Sequence, residues 1–306
     1  MNALAGLFKE NGDKVRGSDG PIYPPASDEL ARLGIPTVEG YRAENLSPKP
    51  DLVIVGNVIS KSNPEYQALV KTDIPYTSMA QAIAKYFIED RESIVVSGTH
   101  GKSTTTSLTA YLLDACGEKP GYFVGGVPLN FDHAYRRSGG RFFVIEGDEY
   151  DTACFEKTPK FFHYRPRHVI LTSVEFDHAD IYRDLAHIQE QFDRLVDLVP
   201  PNGTILACGD EANVRAVCAK RKDVFYYGVS EGNDWRAVNL TDLPRGKRFE
   251  ILHCGQSKGW FETAMLGDHN VKNALGSIAM LLTLGMPIEK LRGALPRFLG
   301  VRRRQE

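Results

Sequence analysis

Apolar residues recur in this chain in short blocks whose period alternates between two and 3.6, and each change of period marks a new element. Near the amino terminus Leu4, Leu7 and Phe8 fall on one helical face, and "DLVIVGN" is an apolar run bounded by turn residues, as in a buried strand. The stretch from Met1 to about Asp90 thus reads as alternating short helices and strands, closing on a helix in "YTSMAQAIAKYFIED". After "EDRES", the run "IVV" enters a glycine loop, and "STTTSLTAYLLDACGEKPG" continues it as a helix that closes at Gly117. "RFFVIEGDEYD" and "RHVILTSVEFDHAD" are further apolar runs ending in acids, which is how parallel strands deliver functional groups at their carboxyl ends. In "LAHIQEQFDRLVDLVP" the stripe Leu185, Ile188, Phe192, Leu195 and Val199 predicts a helix stopped by Pro200 and Pro201. From Trp235 to Leu266 the residues alternate as strands with turns at "PRGKR" and "GQSKG", and a last helix runs from about Asn270 to Leu284. The fold class is α/β, with a boundary near residue 91 that divides the chain into a unit over 1–90 and a domain over 91–306.

Composition narrows the classes. A chain of 306 residues suits two domains at about 100–200 residues each. Charged residues make up 25% and the formal net charge is -2, so no basic surface favours nucleic acid. Cys116, Cys154, Cys208, Cys218 and Cys254 are odd in number and form no C-x-x-C pair, which argues against a disulfide framework or zinc knuckle and fits a reducing cytoplasm. No apolar run approaches the roughly 18 residues of a membrane span, and the start lacks the apolar core and cleavage site of a signal peptide.

The chemistry concentrates in "VVSGTHGKSTTT", residues 95–106, which departs from G-x-x-x-x-G-K-[ST] because Val96 stands at the first glycine. A phosphate cradle needs N–H groups converging at a helix amino terminus, a lysine for the outer phosphates and a hydroxyl for magnesium. Gly98, Gly101, Lys102 and Ser103 supply these between a strand and a helix. Thr104 could equally pack or cap the helix, and His100 could be a neutral loop side chain. Further magnesium ligands should arrive from neighbouring strand ends. Glu146 closes one such strand, and His178 lies past the next, inside "EFDHAD", with Glu175, Asp177 and Asp180 nearby. Acids at strand ends are also ordinary solvated groups, and a lone histidine is more often structural than a ligand.

Taken in order, "GTHGKSTTT", "EGDEYD", "EFDHAD", "GDHNVKNAL" and "GVRRRQE" resemble the Mur ligase family of ATP-dependent amide-forming enzymes of peptidoglycan synthesis. That family's loop resembles G-[TS]-x-G-K-[ST]-[ST], which removes the anomaly at Val96. The phrases "YPP", "EGDEYDTACFEK", "HYRPR" and "EFDHADIY" resemble the branch that recycles cell-wall tripeptide by joining it to UDP-N-acetylmuramate, more than the L-alanine-adding branch. The resemblance implies an N-terminal Rossmann-like UDP-binding domain and a P-loop Mur-ligase central ATPase domain. It implies ATP and Mg2+ as cofactors, and UDP-N-acetylmuramate and the tripeptide as partners. It further implies ATP contacts from Gly98, Thr99, His100, Gly101, Lys102, Ser103 and Thr104, with Lys102 on the outer phosphates and magnesium on Ser103, Glu146 and His178. Lys102, Glu146 and His178 form the expected catalytic set. Asn270 and Asn273 fall on the adenine contacts, one helical face apart, although Asn270 could instead be a helix N-cap. Arg304 matches an arginine that approaches the phosphates, with Arg302 and Arg303 as surface charges. Ser18, Asp19 and Asn57 are the UDP-sugar candidates, although an aspartate in "SDG" is common turn chemistry.

The same resemblance sets expectations about extent. Family members open with a strand and glycine-rich loop and continue into a third, Rossmann-like domain. The expectation is therefore a first domain weakened by a missing strand, doubtful UDP binding, and a polypeptide that binds ATP weakly and ligates nothing alone. The helix in "LAHIQEQFDRLVDLV" holds no lysine to be carbamylated as a magnesium bridge, as in the L-alanine-adding branch. Two rival readings are weaker. Folylpolyglutamate synthase begins directly with the ATP core, whereas about 90 residues precede this loop. A GTPase or other P-loop binding module would place N-K-x-D after the loop, and the faint match "VKTD" at Val70–Asp73 comes before it.

Overall fold

The computed structural model describes residues 1–137, 139–176 and 182–302. Among them, ten strands form one mixed sheet. Its centre is parallel: Gly121–Phe123, Phe142–Gly147, Glu92–Ser97, His168–Leu171, Thr204–Cys208, Val224–Gly228 and the start of Trp235–Asp242 lie side by side in that order. Antiparallel strands finish both edges, Tyr135–Arg136 at one and Lys247–His253 with Gln256–Thr263 at the other.

The near-continuous apolar runs follow from burial on both faces. Alternate residues Ile94, Val96, Phe142, Val144, Ile170 and Leu206 face the helices Lys102–Cys116, Asp268–Thr283 and Ile288–Ala294 through Leu108, Leu112, Leu275 and Ile278. Each such side chain withdrawn from water contributes about 2 kcal/mol. The intervening Val95, Phe143, Ile145, Val169 and Leu171 face the helix Leu185–Asp197 through Ile188, Phe192 and Leu195. Leu4, Leu7 and Phe8 of the helix Asn2–Glu10, with Ala80, Ile83 and Phe87, join this second face.

Several elements differ from expectation. "YTSMAQAIAKYFIED" opens as the strand Tyr76–Ser78, then a Ser78-capped helix Met79–Ile83 that widens to a π-helix at Ala84–Ile88. The first 90 residues carry their four strands as two separate parallel pairs, Gly17–Asp19 with Thr37–Glu39 and Val53–Val55 with Tyr76–Ser78. The turn assigned to "GQSKG" lies at Cys254 and Gly255, and a bulge between Ile251 and Leu252 accommodates the later glycine. The last long helix starts at Asp268, and Ile288–Ala294 was not expected. Among the described residues no helix is long and apolar enough to cross a membrane.

Candidate functional site

The glycine loop leaves the carboxyl end of Glu92–Ser97, between the strand ends carrying Glu146 and Thr172. Val96, fully buried, pairs in register with Glu146 on one side and Ile170 on the other, so it is a central strand residue and the turn begins at Gly98. Gly98 has φ +136°, and a β-carbon there would stand 2.3 Å from Thr172 Oγ1 and 2.7 Å from the Ser173 carbonyl. The loop is stitched to that next strand end. Thr99 N–H donates to the Ser173 carbonyl at 3.0 Å, His100 N–H to Ser173 Oγ at 2.9 Å, and Thr172 Oγ1 to the His100 carbonyl at 2.6 Å. His100 itself is exposed, with Nε2 3.6 Å from Glu175.

Gly101, at φ +83°, occupies the helix N-cap position, so Thr104 does not cap; it is buried in the first turn. The two following side chains engage acids at the end of Phe142–Gly147 and just beyond it. Ser103 Oγ donates to Glu146 Oε2 at 3.1 Å, and Gly125 N–H donates to Glu146 Oε1 at 2.6 Å. Burial, aided by the charge of Asp148, pushes the Glu146 carboxyl up to about 7 against the opposing Gly125 and Ser103 hydrogen bonds and the Lys102 charge. Lys102 Nζ donates to the Gly98 carbonyl at 2.6 Å and lies 3.0 and 3.1 Å from the oxygens of Glu149.

Asn273 reaches the same loop: its Oδ1 lies 2.6 Å from where a Gly101 β-carbon would be, and its Nδ2 donates to Asn270 Oδ1 at 3.1 Å. Asn270 is not an N-cap. It sits inside the helix, buried, with Nδ2 donating to the Leu266 carbonyl at 2.8 Å.

The amino-terminal candidates lie at the ends of short strands. Ser18 Oγ donates to Glu65 Oε1 at 2.7 Å, and Asp19 Oδ1 accepts from Gly20 N–H and from the Tyr41 hydroxyl at 2.6 Å. Asn57 is exposed in the turn after Val53–Val55. His178, Asp177, Asp180, Arg303 and Arg304 lie outside the described residues. Arg302 is exposed, its N–H donating to the Val127 carbonyl at 2.9 Å.

Sequence reasoning missed four participants. Glu149 stands three residues beyond Glu146 inside "EGDEYD", where nothing local distinguishes it from its acidic neighbours. Thr172 and Ser173, which seat the loop, looked like ordinary strand-end residues. Glu65, which binds Ser18 and also accepts from Asn45 Nδ2 at 2.7 Å, carried no local signal at all. Among the described residues, no group of three or more His, Cys, Asp or Glu side chains is arranged to hold a metal ion.

Comparison with known proteins matches residues 1–91 to the Mur ligase family, catalytic domain, and residues 96–281 to the Mur ligase middle domain. The UDP-N-acetylmuramate–L-alanyl-gamma-D-glutamyl-meso-2,6-diaminoheptandioate ligase of Escherichia coli (strain K12) is 40% identical over 306 residues, 100% of this chain and 66% of the relative. The protein of the same name from Haemophilus influenzae is 36% identical over 306 residues, 100% of this chain and 67% of its own. The crystal structure of UDP-N-acetylmuramate:L-alanyl-gamma-D-glutamyl-meso-diaminopimelate ligase from Neisseria meningitides matches with a TM-score of 0.91 at 37% identity, covering 99% of this chain and 96% of that one. The chain spans about two thirds of the length of the curated relatives it matches.

Proposed function

This chain belongs to the Mur ligase family, and on that premise we propose that it serves ATP-dependent amide ligation in peptidoglycan recycling, joining the tripeptide L-alanyl-gamma-D-glutamyl-meso-diaminopimelate to UDP-N-acetylmuramate. Residues 1–90 take the UDP-sugar, with Ser18, Asp19 and Asn57 as contacts, and residues 91–306 take ATP. The sugar's lactoyl carboxylate attacks the γ-phosphorus and ADP leaves with the bridging oxygen; the tripeptide amine then attacks the acyl phosphate, releasing phosphate and a proton as the amide forms.

The observation that carries this reading is the contact of Ser103 Oγ with Glu146 at 3.1 Å, made between the first turn of the helix Lys102–Cys116 and the end of the strand Phe142–Gly147, beside Lys102. A hydroxyl and a buried carboxylate form an oxygen donor set that fits magnesium. Magnesium held there would supply charge neutralisation for the transferring phosphoryl group. Everything else falls to the chain's own groups. A carboxylate approaching a triphosphate is a meeting of anions, so Lys102 and the N–H groups after Ser97 must offset the repulsion. Asn273, buried against Gly101, and Asn270, bonded to it, are the proposed contacts to the base. His178 and Arg304 complete the proposed set.

Thermal unfolding of the 306-residue chain tests the assignment. Mg-ATP at about 100 times its dissociation constant should stabilise the fold by roughly 2.7 kcal/mol, while GTP should not. Lys102→Ala should remove the ATP response and leave the response to UDP-N-acetylmuramate. Equal stabilisation by GTP, or an ATP response untouched in Lys102→Ala, would remove the proposal.

A further inference from the structure

The loop lysine already has an anionic partner. Lys102 Nζ lies 3.0 and 3.1 Å from the two oxygens of Glu149, and the two side chains are only 14% and 4% exposed. The Gly98 and Thr99 carbonyls, at 2.6 and 3.4 Å, complete its surroundings. Glu149 is anchored through its backbone, since its carbonyl accepts from the buried Tyr182 hydroxyl at 2.5 Å. Two oxygens of one negatively charged group therefore sit on the ammonium that a P-loop offers to the oxygens of a nucleotide's outer phosphates.

We infer that Glu149 is a positioning residue that holds Lys102 in the nucleotide-free loop and competes with the outer phosphates for it, so that nucleotide binding is an exchange of one anion for another on the same ammonium. The inference rests on the ATP reading above. Its physical reason is desolvation: an ammonium waiting in this enclosed place without an anion would be costly, and Glu149 removes that cost while keeping Lys102 aimed at its carbonyl ligands. The consequence is a lower nucleotide affinity, because part of the attraction between Lys102 and the phosphates is already satisfied. Glu146, by contrast, is engaged with Ser103 and Gly125, so Glu146 and Glu149 have separate tasks.

The test is calorimetric titration of wild-type protein and Glu149→Gln with Mg-ATP and with adenosine. The variant should bind Mg-ATP about fivefold tighter, a modest factor of the size that a partly buried charge pair controls, and adenosine with unchanged affinity. A role confined to folding the loop predicts the opposite, equal or weaker Mg-ATP binding, and that result overturns the inference. Should Glu149→Gln fail to fold, Tyr182→Phe releases the backbone carbonyl that anchors Glu149 and so loosens its hold on Lys102 without changing charge. Tighter Mg-ATP binding in it supports the exchange, and unchanged or weaker binding overturns it. A wild-type protein that does not bind Mg-ATP removes the ATP reading itself, whereas wild-type binding without a gain in the variants removes only the exchange.

Discussion

A β-carbon on Gly98 would collide with Thr172 Oγ1 at 2.3 Å and with the Ser173 backbone, in a conformation that side-chain-bearing residues rarely adopt. Gly98→Ala should therefore cost about 2 kcal/mol or more and unseat the loop from Thr172 and Ser173. Denaturant unfolding should report the loss of stability, and the Mg-ATP response should vanish with it. A variant as stable as wild type would show that the turn tolerates a side chain. Gly98, Lys102, Ser103 and Glu146 were legible because strand, loop and helix force them together. Glu149 was not singled out, since an acid among acids gives no hint of which one meets a lysine. Only the course of the backbone beyond Gly147 brings its carboxylate to Lys102.

Strands and helices were read from apolar spacing wherever both sheet faces are covered. The errors lie at boundaries, where a side chain or a pairing decides: Tyr76–Ser78 became a strand because it pairs with Val53–Val55, and Asn270 moved inside its helix. The junctions between strands also carry pH dependence. After Thr204–Cys208, the Asp210 carboxylate accepts from Val229 N–H at 2.8 Å, Ser230 N–H at 3.0 Å and Asn233 Nδ2 at 2.9 Å, tying together the ends of two neighbouring strands. Burial works to raise its pKa, but these donors outweigh burial and the net shift is below the ordinary aspartate value. In the unfolded chain Asp210 takes up its proton at the higher, ordinary value. Its stabilisation is accordingly complete above that value and is lost as pH falls through the lowered native one. Asp210→Asn should be less stable than wild type by about 1–2 kcal/mol near neutrality, and the gap between their urea midpoints should close on acidification. A gap that stays constant or widens in acid would contradict this.

Among the described residues, apolar packing joins the amino-terminal ninety residues to the rest of the chain at one face of the large sheet and around Phe155. Leu4, Leu7, Phe8, Ile83 and Phe87 complete one sheet face, while Phe155 projects the other way into the small cluster of Val55, Leu69 and Ile74. There Phe155 stacks on Tyr66 at 6.3 Å between centroids and meets Tyr76 edge-on at 5.5 Å. Phe155→Ala should weaken this join by about 2 kcal/mol. Hydrogen exchange should then quicken at Val53–Val55 and Tyr76–Ser78 while Glu92–Ser97 stays protected. Equal acceleration in both regions would mean that Phe155 supports the whole fold and not this join.

Local order in this chain, the succession of strand, glycine loop and helix and the acids that follow, is written in spacing, because periods of two and 3.6 and the steric freedom of glycine act over a few residues. The partners of those acids belong to the folded arrangement. Glu146 meets Ser103 through strand register, Glu149 meets Lys102 through the path after Gly147, and Glu65 meets Ser18 across 47 positions of sequence. Contacts between groups so far apart depend on how the intervening elements pack, and no local pattern encodes that packing.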